Sequence, residues 1–265
     1  MPRAYPGVWL FIATLSVAAV TAVRRTGIRP TRRQAAAFWG GVLALWVATD
    51  WPVGALGAGY LASVHMLQYM LYTLVAAPLL LLGIPEPLAR RALARARAYR
   101  TYRFLAKPVV SGLTANLVLV ATHAPFTVDA LRATQLGSFA GHMVWILAGL
   151  ILWLPVCGPI SEAKPSYPIR SVYLFLASGV IPMMPGGFMT FADFPLYETF
   201  ELAPRVGPLD PLADQRIAGA LMKVGSTPLI WPVIGVMLRR WAREEGVPGI
   251  SPPRSRRPAP EPVAD

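Results

Sequence analysis

LASVHMLQYMLYTLVAAPLLLLGI, residues 61–84, decides the fold. It runs for 24 residues without an Asp, Glu, Lys or Arg. A bilayer core needs roughly 20 apolar residues wound into a helix, because nothing in the hydrocarbon can hydrogen-bond an open backbone. Six other stretches read the same way: 6–23, 34–49, 108–121, 138–157, 171–191 and 217–241. The second and fourth of the seven, 34–49 and 108–121, are short, as a tilted or partly interfacial span would be. The sixth holds Pro182, Pro185, Gly186 and Gly187, which predicts a kink or a break. The expected architecture is all-α: one polytopic membrane helical bundle of about seven transmembrane helices over residues 1–246, with no internal repeat. Residues 247–265 are rich in Pro and Arg, a composition that predicts a disordered tail. The opening apolar run lacks the basic segment and small-residue cleavage site of a secretory signal, so it reads as a retained helix.

Composition agrees. Of 265 residues 55% are hydrophobic and only 14% charged, against about 25% charged in a soluble domain. The net charge of +12 raises the question of nucleic acid. The charges, however, sit between the apolar runs, as topology signals do. Loops after the first, third, fifth and seventh stretches carry twenty Arg and Lys; the opposite loops carry four, Arg3, Arg132, Arg205 and Arg216. The positive-inside rule then places the N-terminus outside and the C-terminus in the cytoplasm. The basic stretch 90–107 reads as a cytoplasmic connector, in part a short surface helix, whose Arg and Tyr side chains meet anionic headgroups. Cys157 is the one cysteine, which excludes a disulfide framework or a CxxC site within the chain.

On this topology the three histidines, His65, His123 and His142, all fall at the outer ends of helices. Carboxylates gather there too, among them Asp129 and Asp214, as do Met66, Met70 and Met222. Imidazole and thioether together suit soft Cu(I). Each also has a plainer use, since Met fills irregular gaps in apolar cores and a His at a helix end can cap it or sit at the interface. Lys223, within the seventh stretch, either snorkels outward or pairs with a carboxylate such as Asp214 or Asp129. Asn116, in the middle of the fourth, is expected to hydrogen-bond between helices. GxSxG, HExxH, P-loop and GxGxxG templates are all missing, so the chain does not read as an enzyme.

Several ordered segments resemble the CtaG family of cytochrome c oxidase assembly factors, the multi-span membrane type. Residues 63–71, SVHMLQYML, and 77–85, APLLLLGIP, are similar to its third-helix signature, approximately AHMxQHMLL followed by APLLxLGxP. His123-Ala124-Pro125, Asp129-Ala130-Leu131, Gly141-His142 and Leu152-Trp153-Leu154-Pro155-Val156 resemble its H-x-P, D-x-x-L, E-H and WWPV elements in order. Asp214-Gln215-Arg216-Ile217-Ala218-Gly219-Ala220-Leu221-Met222 is similar to DQQLGGLIM, and the resemblance spans about residues 46–245. It implies a multi-pass protein of the bacterial plasma membrane that assists assembly of a haem–copper oxidase of the respiratory chain. The partners implied are oxidase subunits within the lipid bilayer, and the role usually linked to the family is copper supply, that of a metallochaperone. Carried over by position, the functional residues are His65, His123, Asp129, His142, Asp214 and Met222. The chain departs from the pattern at Tyr69, where the family has a second His one helical turn after His65. It departs again at Gly141, where the family has Glu, and at Lys223 in place of an expected Trp. Two other readings stand beside copper: haem held between His65 and His142, and a metal-free scaffold for an oxidase subunit.

Overall fold

The computed structural model describes residues 6–246; the proposed tail, 247–265, lies outside the described residues. No strand occurs among them. In chain order the helices are α1 (Pro6–Thr26), α2 (Arg32–Thr49), α3 (Val53–Gly59), α4 (Ala62–Gly83), α5 (Glu86–Arg95), α6 (Tyr99–Leu105) and α7 (Pro108–His123). There follow α8 (Pro125–Arg132), α9 (Gln135–Cys157), α10 (Tyr167–Phe191), α11 (Glu198–Glu201) and α12 (Pro211–Glu244). Five of these, α1, α4, α9, α10 and α12, are long and apolar enough to cross a membrane. The number rises to seven when the bent pairs α2–α3 (49°) and α6–α7 (78°) each count as one span. The two short stretches of the sequence are therefore the two that enter bent pairs.

The start of α2 shows how local chemistry sets a boundary. Thr31 accepts from the Gln34 backbone N–H, and the Gln34 side chain accepts from the Thr31 N–H, a reciprocal capping box. The centre of the bundle is α4 against α9, 56% and 61% buried, whereas α1 buries none of its apolar window. Gly149 permits this crossing, since a Cβ there would lie 2.8 Å from the Thr73 Cα. Gly186 and Gly219 do the same for α10 against α12: a Cβ on Gly219 would meet the Gly186 carbonyl at 2.7 Å. Gly186 is thus a crossing point inside a continuing helix, and the irregularity of α10 lies upstream of it.

That irregularity has a repeated cause. Three spans contain a π-helical segment, Leu71–Ala76 in α4, Leu176–Val180 in α10 and Leu221–Gly225 in α12. A proline, Pro78, Pro182 or Pro228, follows each by two or three residues. Proline has no N–H to give the preceding turn and its ring crowds the carbonyl four residues back, so the ladder widens. In α4 the Ala77 N–H reaches back to Tyr72, and the skipped Thr73 carbonyl accepts from the Trp153 indole at 2.9 Å. In α10 the Ile181 N–H reaches back to Leu176, and the skipped Ala177 carbonyl accepts from the Asn116 amide at 3.1 Å. The expected interhelical bond of Asn116 is therefore present, and it satisfies a backbone group that a membrane interior would otherwise leave bare.

Candidate functional site

The three histidines converge at one end of the bundle, away from the basic connector α5–α6. His65 lies one turn into α4, His123 is the last residue of α7, and His142 is in the second turn of α9. All three are buried. His65 and His123 meet edge to face at 5.6 Å between ring centroids. Trp145, 1% exposed, sits among them, 5.0 Å from His65, stacked at 5.5 Å on His123 and 5.8 Å from His142. Its indole donates to Thr122 at 2.9 Å.

Arg132, the last residue of α8, completes the cluster. Its guanidinium donates to His65 Nδ1 at 2.9 Å and to His142 Nε2 at 3.0 Å, and lies 5.4 Å from the centre of the Trp145 ring. Burial pulls its pKa down to about 10, which leaves it charged at neutral pH. A guanidinium only donates, so both imidazoles are neutral acceptors and their tautomers follow: His65 carries its proton on Nε2 and His142 on Nδ1. His123 is held differently. Its Nδ1 donates to the Leu119 carbonyl at 2.9 Å, so Nε2 carries the lone pair. That Nε2, like the His65 Nε2, is buried without a protein partner among the described residues.

The acidic residues fasten the cluster rather than enter it. Asp214 accepts from the Ala62 N–H at 2.5 Å and from Ser63 through both backbone and hydroxyl, so it caps the N-terminus of α4. A carboxylate there answers both the open N–H groups and the positive end of the helix dipole. Asp129 accepts from the N–H groups of Thr199 at 2.9 Å and Glu198 at 3.3 Å, which starts α11 and sets Phe200 against His65 at 5.4 Å. Tyr197 donates to the His123 carbonyl at 3.0 Å. Neither carboxylate pairs with Lys223, whose ammonium instead lies 4.7 Å over the Phe191 ring. The ion pair considered for Lys223 is replaced by this cation–π contact, because both aspartates are committed to backbone donors.

Deeper in the bundle a cavity of about 30 Å³ opens between α4, α7, α10 and α12, bordered by all three π segments. Met66, Met70 and Met222 line it, with Asn116, Ser178 and Ser226 as its polar groups. Tyr69 joins cavity to cluster: it lines the cavity and packs edge-on against His123 at 4.8 Å. A space of this size admits one ion or a water or two. Among the described residues no three His, Cys, Asp or Glu are grouped as a metal site. The soft donors that line the cavity are the three thioethers; the bare His123 Nε2 belongs to the cluster on the other side of Tyr69 and is not part of the cavity wall. The His123 Nδ1–H bond to a carbonyl is the usual orientation of a ligating imidazole.

A family model described as cytochrome c oxidase caa3 assembly factor matches residues 15–244, nearly the whole described chain. The chain belongs to this family. No curated protein and no solved structure matches it. Membership gives the chain a role in assembling a cytochrome c oxidase, and with it an association with that oxidase. Of the residues the sequence singles out, His65, His123, His142, Asp129, Asp214, Met66, Met70, Met222 and Tyr69 lie at this end of the bundle or around the cavity beneath it. Arg132 and Trp145 belong to the same cluster and carry no motif that marks them. The available signal for Arg132 was its position, one of four basic residues on the basic-poor side and ten residues before His142.

Proposed function

We propose that this caa3 assembly factor holds Cu(I) for a haem–copper oxidase and releases it to an oxidase subunit at the outer face of the plasma membrane. The observation that carries the reading is the His123 Nε2 lone pair, buried and bare, beside a tyrosine that lines a three-thioether cavity. The distribution of Arg and Lys supports the outer placement, because the connector with Arg90 to Lys107 leads into the far end of α7, about 24 Å of helix from His123. Arg132 reserves His65 and His142, so His123 and the thioethers are the donors a cation meets first. One guanidinium bonded to both His65 and His142 also fills the space a haem would need between them.

A second reading has its own support: His65, His142, Arg132 and Trp145 form a bonded network that needs no metal, as a pure scaffold would have. Oxidase purified from cells that carry only the His123→Ala protein separates the two. The copper reading expects the oxidase subunits to be made but their copper content to fall by about tenfold, since disturbing even an outer-shell partner of a metal ligand costs about 10–100-fold in affinity. A normal copper content would leave the scaffold reading standing alone.

A further inference from the structure

At the end of the bundle opposite the histidines, α6 turns through 78° into α7. The bend leaves a hollow of about 510 Å³ between α6 and the 162–165 segment. Arg100, Arg103, Lys107 and Lys164 line it. Among the described residues none of the four is paired with a carboxylate. The one carboxylate on the rim, Glu162, is engaged by Arg90 and by the Tyr99 hydroxyl at 2.8 Å, and these donors hold its pKa down to about 2. Burial, and after it the nearby Arg170, pull the Lys164 ammonium down, against a smaller upward pull from Glu86.

We propose that this hollow binds the phosphate group of an anionic phospholipid headgroup. Guanidinium groups offer the paired N–H donors that match phosphate oxygens, and Arg100 and Arg103 supply two of them. The hollow stands where a headgroup lies. Lys107 is followed at once by Pro108, the first residue of the apolar span α7, whose Val109 is 72% exposed. Phe104 is 54% exposed beside the same cations, with the Lys107 ammonium 5.6 Å over its ring, an apolar wedge with a charged rim. Basic pockets at the cytoplasmic ends of spans are where such headgroups bind. This site is independent of the copper reading and stands whether or not that reading does.

The test titrates the detergent-purified full chain with short-chain phosphatidylglycerol, short-chain phosphatidylcholine and inorganic phosphate, and measures binding by calorimetry. The expected result is that phosphatidylglycerol binds at least about tenfold more tightly than either of the others. The Arg100→Gln/Arg103→Gln/Lys107→Gln/Lys164→Gln variant should lose that preference. A variant with the same charge removed elsewhere, Arg25→Gln/Arg33→Gln/Arg95→Gln/Arg239→Gln, should keep it and also shows that loss of charge alone does not unfold the chain. Equal binding of phosphatidylcholine, or an equal loss in both variants, overturns the site. Inorganic phosphate as tight as the lipid overturns the lipid as its source.

Discussion

Trp145→Ala costs this protein about 3–5 kcal/mol of stability, the range for removing a buried tryptophan whose neighbours cannot close the gap. Trp145 is 1% exposed and its ring lies within 6.2 Å, centre to centre, of the rings of His65, Tyr69, Tyr72, His123 and His142. It also gives the Arg132 guanidinium an aromatic face. No other single side chain touches so many parts of the cluster. Thermal unfolding in detergent measures the loss, and oxidase maturation should fail alongside it. Trp145→Phe keeps most of the packing and loses only the bond to Thr122, whose hydroxyl retains the Val118 carbonyl. It should therefore cost far less than the alanine variant. Equal losses for Phe and Ala would show that the indole N–H, rather than the ring, holds the cluster.

The second large effect is expected at Asp214. Its carboxylate, 2% exposed, answers the N–H groups of Ala62 and Ser63 and the Ser63 hydroxyl. Asp214→Ala leaves those donors open at the start of the central helix. Charged hydrogen bonds and a helix cap together are worth about 3 kcal/mol. For a domain of this size that lowers the melting temperature by about 6–12 °C. Asp214→Asn keeps an acceptor on the same atoms and should recover much of the loss. If Ala and Asn both melted like the wild type, Asp214 would not be the cap of α4.

These two residues also mark how far the sequence could be read. The spans were legible because the hydrocarbon core demands long apolar runs, and residues 61–84 supplied one without a charge. The layer shared by His65, His123 and His142 was legible too, because the N-terminal turns of α4 and α9 and the C-terminal end of the antiparallel α7 lie at one end of the bundle. What the sequence hid depends on partners distant in the chain. Asp214 looked like a partner for Lys223, but the open N–H groups of α4, about 150 residues earlier in the chain, claim it. Arg132 counted only as one of the four basic residues on the basic-poor side, because nothing in the sequence shows α8 folding back over the cluster. Pro182, Pro185, Gly186 and Gly187 forecast an irregular sixth span but not its form, and they say nothing of the π segments in α4 and α12. Pro78 and Pro182 widen the ladder into π turns only because Trp153 and Asn116 stand ready to satisfy the skipped carbonyls.

The arrangement also gives Tyr69 a use of its own on α4. A histidine one turn after His65 would place a second imidazole on the same face of α4. Here that position carries a ring that walls the thioether cavity and packs against His123. The donors of the proposed copper site would thus be spread over α4, α7 and α12 rather than paired on one helix.

The most direct measurement is a competitive Cu(I) titration of the purified protein under reducing conditions, with a chromophoric chelator as rival, beside the Met66→Leu/Met70→Leu/Met222→Leu variant. Leucine keeps the volume and apolar character of the cavity wall and removes only the sulfur donors. The expected result is about one Cu(I) per wild-type chain and an affinity at least about tenfold weaker in the variant, at unchanged melting temperature. Wild-type protein that takes no copper from the chelator, or a variant that binds it equally well, would contradict the claim that these thioethers hold the ion.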